Sequence, residues 1–275
     1  MASETCDPVC KKRQIKLTKE NDMQFFEKLH ISTVADDAAE LAAANNIGLE
    51  IAEFCTAFNM DIDFETWDNI VIQKMEKTSA GFVFHAPFNE LCPAAIDPMI
   101  IEVAKKRYVQ TYELMKKYKI NKMVVHSGNV PRLYHDSWFF EHSVAFWKEF
   151  IADKPDDFSV CIENLFEVTP TLLCEIVEEV ADERLKLCLD VGHAALFTEK
   201  MSLNDWIDRC ATNIGHLHLH NNEGKDDTHS ALDDGLIDIS EIISRVSDIA
   251  PRATFTIESI DATRSIDWLI KSKLI

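Results

Sequence analysis

The sequence predicts an α/β fold, a single closed (β/α)8 barrel, and three observations lead to that prediction. Eight short apolar runs alternate with eight amphipathic segments along the 275 residues. No composition break and no Ser/Gly-rich linker divides the series into two domains. Six consecutive apolar runs end in a histidine or a carboxylate. In such a barrel the carboxyl ends of all strands converge on one mouth, where catalysis takes place.

The eight apolar runs have the length and composition of strands that are buried on both faces. They are LHISTV (29–34), GLEIAEF (48–54), GFVFHAP (81–87), KMVVHSG (122–128), FSVCIEN (158–164), LKLCLDVGH (185–193), GHLHLHN (215–221) and ATFTIES (253–259). A segment with helical spacing follows each run, from DDAAELAAANN after the first to SIDWLIKSKL after the eighth. This alternation predicts a parallel sheet covered by helices.

An open, doubly wound sheet is the rival architecture, and it usually carries a glycine-rich first turn. The chain has only seven glycines, and each lies before a strand or at a strand's carboxyl end. We therefore expect the barrel to span residues 27–275, with residues 1–26 as an N-terminal tail outside it. The C-x3-C pair Cys6 and Cys10 in that tail lacks a second ligand pair nearby.

Composition indicates which cellular compartment and which kinds of partner to expect for the protein. The net charge is −19, from 47 acidic and 28 basic residues, which disfavours nucleic acid and anionic membranes as partners. No apolar run reaches the ~18 residues of a membrane span, and the N-terminus lacks the apolar stretch of a signal peptide. The eight scattered cysteines are typical of reduced, buried thiols. We expect a cytoplasmic protein with a small-molecule substrate. The sequence is compatible with a monomer and with a homo-oligomer.

The polar strand ends predict a site for divalent metal ions. In chain order they are His85, His126, Glu163, Asp190 with His193, His218, Asp227 with His229, and Glu258. Carboxylates and imidazoles are the ligands of Zn²⁺, Mn²⁺, Fe²⁺ and similar ions. Several acids in one small volume are costly unless cations or protons occupy it.

The run HLHLH places His216, His218 and His220 on one face of the seventh strand, because side chains alternate along a strand. The three histidines lie at different depths of the barrel. We expect His218 to be a metal ligand, His216 to fill the barrel interior, and His220 to lie at the rim or behind a ligand.

The motifs HAPFNEL, VVHSG, IENLFE, LDVGHA, HLHLHNN…DDTH and TIES resemble the xylose isomerase-like TIM-barrel superfamily over residues 28–275. That superfamily contains sugar isomerases and epimerases, related dehydratases and abasic-site nucleases of the endonuclease IV type. The resemblance to its epimerases implies a metal held by Glu163, Asp190, His218 and Glu258. It also implies that the two glutamates exchange substrate protons and that His193 contacts the substrate.

The resemblance to the nuclease branch implies further ligands that would complete a three-zinc cluster: His85, His126, His193, Asp227 and His229. We expect one to three ions (Mn, Mg, Zn or Co), with some of these five residues, such as His85, contacting substrate instead. The sequence departs from both branches. The loops FCTAFNMDID and PFNELCPAAID are nearly devoid of basic residues, and the epimerase signature after the seventh strand is absent. HNNEGKDDTH offers Asn221, Asn222 and Lys225 as substrate contacts instead.

The leading hypothesis is a divalent-metal-dependent isomerase or epimerase that acts on a sugar or sugar phosphate through a metal-stabilised enediolate. Glu163 and Glu258 would alternate as base and acid. One alternative is an endonuclease IV-type zinc phosphodiesterase, in which the cluster generates hydroxide. The other is a metal-binding barrel without turnover.

Overall fold

The computed structural model describes residues 25–274, and its eight parallel strands close into one barrel in chain order. The first strand pairs with both the second and the eighth, which completes the closure. The strands are β1 (Leu29–Ser32), β2 (Gly48–Ile51), β3 (Phe82–His85), β4 (Lys122–His126), β5 (Ser159–Glu163), β6 (Leu185–Asp190), β7 (Ile214–Leu219) and β8 (Thr254–Ile257). The predicted single (β/α)8 barrel is confirmed, and the open sheet was the wrong alternative.

Helices cover the outside of the barrel between successive strands. They are α1 (Ala38–Asn45), α2 (Phe58–Asp61), α3 (Phe64–Met75), α4 (Pro98–Tyr118), α5 (Asp136–Ile151), α6 (Thr171–Val180), α7 (Val191–Ala195), α8 (Leu203–Cys210), α9 (Ile239–Ile249) and α10 (Ala262–Lys271), with a 3-10 turn at Ala211–Asn213. The short helix α7 was not predicted, because the sixth apolar run continues to residue 193. Strand β6 ends at Asp190, whose carboxylate accepts a hydrogen bond from the His193 backbone N–H at 2.7 Å and so caps α7.

Alternation along the strands separates an outer core from the barrel interior. Outward side chains such as Leu217 and Phe255 belong to the large core between strands and helices. Inward side chains form a small apolar group inside the barrel, which consists of Val83, Val124, Cys161 and Cys188. Polar inward residues lie in the same interior and include Glu50, which is fully buried. The barrel is therefore a packed core with a polar component.

Phe25, the first of the described residues, packs in the core, and its ring centroid lies 4.9 Å from that of Phe255 on β8. Phe26 packs against the same core, and the division into a tail of residues 1–26 and a barrel of residues 27–275 stays a prediction. Cys6 and Cys10 lie outside the described residues. The six cysteines within residues 25–274 are free thiols. Among the helices of this part of the chain, none is both long and apolar enough to cross a bilayer.

Candidate functional site

A cavity of about 640 Å³ opens at the carboxyl ends of the strands. Its lining includes most of the predicted site residues: His85, His126, Glu163, His193, Asp227, His229 and Glu258. Asp190 and His218 are fully buried beside them. All nine residues predicted as ligands are thus brought to one end of the barrel, because parallel strands that close in register end at the same rim.

Four of the nine form a compact cluster, which we call the central cluster: Glu163, Asp190, His218 and Glu258. Each offers a ligand atom within 4.8 Å of the others. The His218 Nδ1 atom lies 3.3 Å from Glu258 Oε2, 3.4 Å from Glu163 Oε1 and 3.7 Å from Asp190 Oδ2. One imidazole nitrogen therefore faces three carboxylates, which come from β5, from β6 and from the residue that follows β8.

A second cluster lies on the β3–β4 side of the site and shares Glu163 with the central cluster. The Nε2 atoms of His85 and His126 each lie 3.4 Å from Glu163 Oε2. The two Glu163 oxygens thus face different groups, since Oε1 faces His218. A carboxylate placed in this way is able to bridge two cations.

A third cluster is built from α7 and the loop after β7. It contains His193, His220, Asp227 and His229. Asp227 Oδ2 lies 3.1 Å from both His193 Nε2 and His229 Nε2. His193 Nδ1 also lies 3.3 Å from Glu163 Oε1, so this cluster adjoins the central one.

Neighbouring imidazoles keep two buried carboxylates of the site, Glu163 and Asp190, ionised. Burial alone would raise the pKa of Glu163, but the charges of His126 and His218 hold it well below its usual range. The pKa of Asp190 is likewise held low, against burial, by His193 and His220. His126 carries a charge only in the acid range where Glu163 titrates, because burial lowers its pKa to about 4. At neutral pH it is an uncharged imidazole with a lone pair available for a ligand.

Three buried atoms in these clusters have no hydrogen-bond partner: Glu163 Oε2, His218 Nδ1 and His220 Nδ1. A buried polar atom without a partner costs folding free energy, so native proteins leave few of them. Carboxylate oxygens and imidazole nitrogens are common ligands of divalent transition metals. The donor set therefore fits divalent cations, because a cation in each cluster would satisfy the unpartnered atom of that cluster.

Glu50 on β2 is a site residue that the sequence reasoning missed. Its Oε1 accepts a hydrogen bond from His218 Nε2 at 3.1 Å. Its Oε2 accepts from His216 Nε2 at 3.0 Å and from the Thr256 hydroxyl at 2.6 Å. The His218 ring is thereby oriented with Nδ1 toward the central cluster. A charged residue in the middle of the apolar run GLEIAEF was the signal that could have identified it.

The other two histidines of HLHLH lie below and above His218. His216 is fully buried inside the barrel and also hydrogen-bonds to Thr254 Oγ1 at 2.6 Å. His220 Nε2 donates to Asp190 Oδ1 at 3.0 Å, and its ring stacks on His229 with centroids 4.0 Å apart. His220 thus holds a carboxylate of the central cluster while it belongs to the third cluster.

Three residues expected to contact substrate lie elsewhere, and one of them, Asn222, is buried and donates to the Gly192 carbonyl oxygen at 2.9 Å. The Asn221 side chain is buried and donates to the carbonyl oxygens of Leu232 and Ile237, which fixes the loop after β7. Lys225 is exposed. None of the three side chains is part of the cavity lining.

Replacing Gly192 by Ala should destabilise the protein by about 1–3 kcal/mol and weaken metal binding. A Cβ atom at residue 192 would lie 1.9 Å from the His220 ring, so the ring must move away from Asp190. Urea unfolding and metal titration measure the two effects. Gly81→Ala is the matched control, because its Cβ would meet nothing closer than 3.5 Å. Equal behaviour of the two variants would contradict this role of Gly192.

Comparisons with known proteins agree with the fold. The family model described as "Xylose isomerase-like TIM barrel" matches residues 41–272. An uncharacterized protein of Methanocaldococcus jannaschii is 25% identical over 213 residues, which are 74% of this chain and 71% of that protein. The crystal structure of a D-tagatose 3-epimerase-like protein superposes with a TM-score of 0.73 at 20% identity, over 90% of this chain and 96% of the other. A Thermus thermophilus protein soaked with ZnCl2 superposes with a TM-score of 0.69 at 18% identity, over 89% and 97%.

Proposed function

The chain belongs to the xylose isomerase-like TIM barrel family, and from this premise we propose that it is a divalent-metal-dependent isomerase or epimerase acting on a sugar or a related hydroxy carbonyl compound. The observation that carries the proposal is the pair of carboxylates next to His218 Nδ1, Glu163 at 3.4 Å and Glu258 at 3.3 Å, which line one cavity. The sugar epimerase-like neighbour supports the reaction class by analogy.

The proposed chemistry moves one proton between a substrate carbon and the two glutamates. Glu163 on β5 and Glu258 on the β8 side line the same cavity. One carboxylate would remove the proton next to the substrate carbonyl, and the other would return a proton to the neighbouring position or the opposite face. Because the pKa of Glu163 is held low by His126 and His218 against the effect of burial, that side chain is ionised and able to accept a proton.

A divalent ion held by the central cluster would supply Lewis-acid polarisation of the substrate carbonyl. The residues that would hold it are Glu163, Asp190, His218 and Glu258. Glu50 and His220 would orient two of those ligands, through the hydrogen bonds to His218 and Asp190. Near-complete burial of the central cluster excludes bulk water from these atoms.

A second candidate function is hydrolysis of a phosphodiester, and the second and third clusters favour it. Together with the central cluster they offer sites for more than one cation around Glu163, an arrangement that suits metal-assisted attack by hydroxide. The lining disfavours a nucleic acid substrate, since none of the described residues around the cavity is Lys or Arg. Those two side chains make many of the phosphate contacts in protein–DNA complexes.

Two assays on one metal-replete preparation test these functions. We expect a ketose α-proton to exchange with deuterated water, and we expect no cleavage of an abasic-site duplex at low salt. The His126→Ala variant, which removes a residue of the second cluster only, should retain exchange activity above background. Duplex cleavage that is lost in His126→Ala, without exchange on any ketose, would show that the hydrolase is the correct function. Stoichiometric metal without either activity would identify a metal-binding barrel without turnover.

A further inference from the structure

The cavity has a polar floor and a largely apolar wall. The floor carries the clusters described above, whereas the wall is formed by side chains from the loops after the strands. Its apolar members include Val34, Phe88, Leu91, Val130 and Phe166 from these loops and Ile100 from the first turn of α4. Several of these are open to solvent; Val34 is 50% exposed, Phe166 47% and Val130 46%. Large apolar side chains grouped around a catalytic cavity mark a binding surface.

The charges in the wall oppose an anionic substrate group. Among the described lining residues there is no Lys or Arg, the side chains that usually recognise phosphate. Within the same described lining, Glu90 is the only charged residue outside the three clusters; it is exposed and would repel a phosphate. Arg132 lines a neighbouring groove, but it shares that groove with Asp136 and Glu167.

The size of the cavity and its neutral polar groups suit an uncharged ligand. A volume of about 640 Å³ falls within the ~300–1,000 Å³ of clefts that hold drug-sized ligands. Asn89, Asn129 and Tyr134 line it and offer amide and hydroxyl groups for uncharged oxygens. Phe88 is stacked on His126 with centroids 4.2 Å apart, so the apolar wall is continuous with the reacting floor.

Resting on the proposed function, we propose that the substrate is an uncharged hydroxy carbonyl compound that carries an apolar substituent, an aryl or alkyl group, away from its reacting carbons. The hydroxy carbonyl part reaches the floor, and the substituent packs against the wall around Phe166, Ile100 and Val130. Burial of the substituent supplies binding energy that a phosphate cannot obtain from this wall.

The test compares three ketoses that differ only at the terminal carbon: 6-O-benzyl-fructose, 6-O-methyl-fructose and fructose 6-phosphate. The metal-replete full chain is assayed by α-proton exchange with deuterated water. We expect kcat/KM for the benzyl ether to exceed that for the methyl ether about tenfold or more, with the phosphate the poorest. Equal values for the two ethers, or a preference for the phosphate, would overturn the inference and leave the proposed function standing.

Two matched variants test whether the apolar wall causes the preference for the benzyl ether. Phe166→Ala should reduce the preference for benzyl over methyl about tenfold. Val168→Ala should leave the preference unchanged, because Val168 is on the same loop and 44% exposed but lies outside the cavity lining. If both variants behave alike, the wall is not the binding surface. A phosphate preference that disappears in Arg132→Ala would assign an anion to the neighbouring groove and overturn the inference.

A binding measurement keeps the inference separate from the proposed function. Calorimetry with the unreactive alditols of the benzyl and methyl ethers requires no turnover. Tighter binding of the benzyl alditol, with a more negative heat capacity change, supports the inference even where no ketose exchanges its proton. Absence of exchange on all three ketoses counts against the proposed function alone, whereas equal alditol affinities count against the inference alone.

Discussion

Replacing Glu258 by Gln should lower the rate of α-proton exchange by about 10²–10⁴-fold at saturating metal, the contribution typical of a general acid–base group. The amide keeps the size of the side chain and one oxygen, but it cannot accept and return a proton. Glu258 lines the cavity, and its carboxylate lies 3.3 Å from His218 Nδ1. The measurement is deuterium incorporation by NMR, with metal content determined on the same samples.

Glu223→Gln is the matched control for this prediction. Glu223 is exposed in the loop after β7, outside the cavity lining and the three clusters. We expect its exchange rate to stay within about twofold of the unsubstituted protein, as for surface substitutions in general. A Glu258→Gln protein that holds its metal and exchanges at the unsubstituted rate would remove Glu258 from the proton-transfer step.

Removing the Glu50 carboxylate should produce the largest loss of stability among these substitutions. In Glu50→Ala, His218 stays buried without its counter-charge, and His216, a neutral imidazole because burial lowers its pKa to about 3, loses a hydrogen-bond acceptor. Together these losses cost about 3–5 kcal/mol in the free energy of unfolding. Glu50 is itself fully buried and accepts hydrogen bonds from both histidines. Urea unfolding of the metal-free protein measures this loss without a contribution from bound metal.

The milder Glu50→Gln variant tests the role of this residue in metal binding. Loss of the charge behind His218 should weaken metal affinity about 10–100-fold, as expected when the partner of a metal-bound histidine is altered. Glu53→Gln is the matched control. Glu53 is also buried after β2, but it pairs with Lys74 at 2.7 Å, outside the cavity lining. Equal loss of metal affinity in both variants would contradict a specific role for Glu50.

Much of the site could be predicted because the barrel topology is simple. Once eight parallel strands are assigned, side chains at their carboxyl ends must meet at one mouth. The nine residues from His85 to Glu258 could therefore be grouped without knowledge of any distance. Strand periodicity likewise placed His216, His218 and His220 on one face. These predictions depend only on local patterns and on the parallel direction of the strands.

Contacts across the barrel could not be predicted from local sequence patterns. Glu50 and His218 are separated by 168 residues in the chain and meet only because the closed barrel brings β2 and β7 to face each other across its interior. The assignment of Glu163 to two clusters depends on the direction of each carboxylate oxygen, which side-chain packing decides.

The loop after β7 shows the same division between local pattern and tertiary structure. Its sequence HNNEGKDDTH contains several polar side chains, and no local pattern shows which of them enter the cavity. The structure directs Asp227 and His229 into the cavity, while it commits Asn221 to backbone carbonyls within the loop. The sequence by itself thus determined the barrel and the set of polar side chains at its mouth. Only the tertiary structure decided which of them face one another, because loop conformation and strand register set those distances and no local period encodes them.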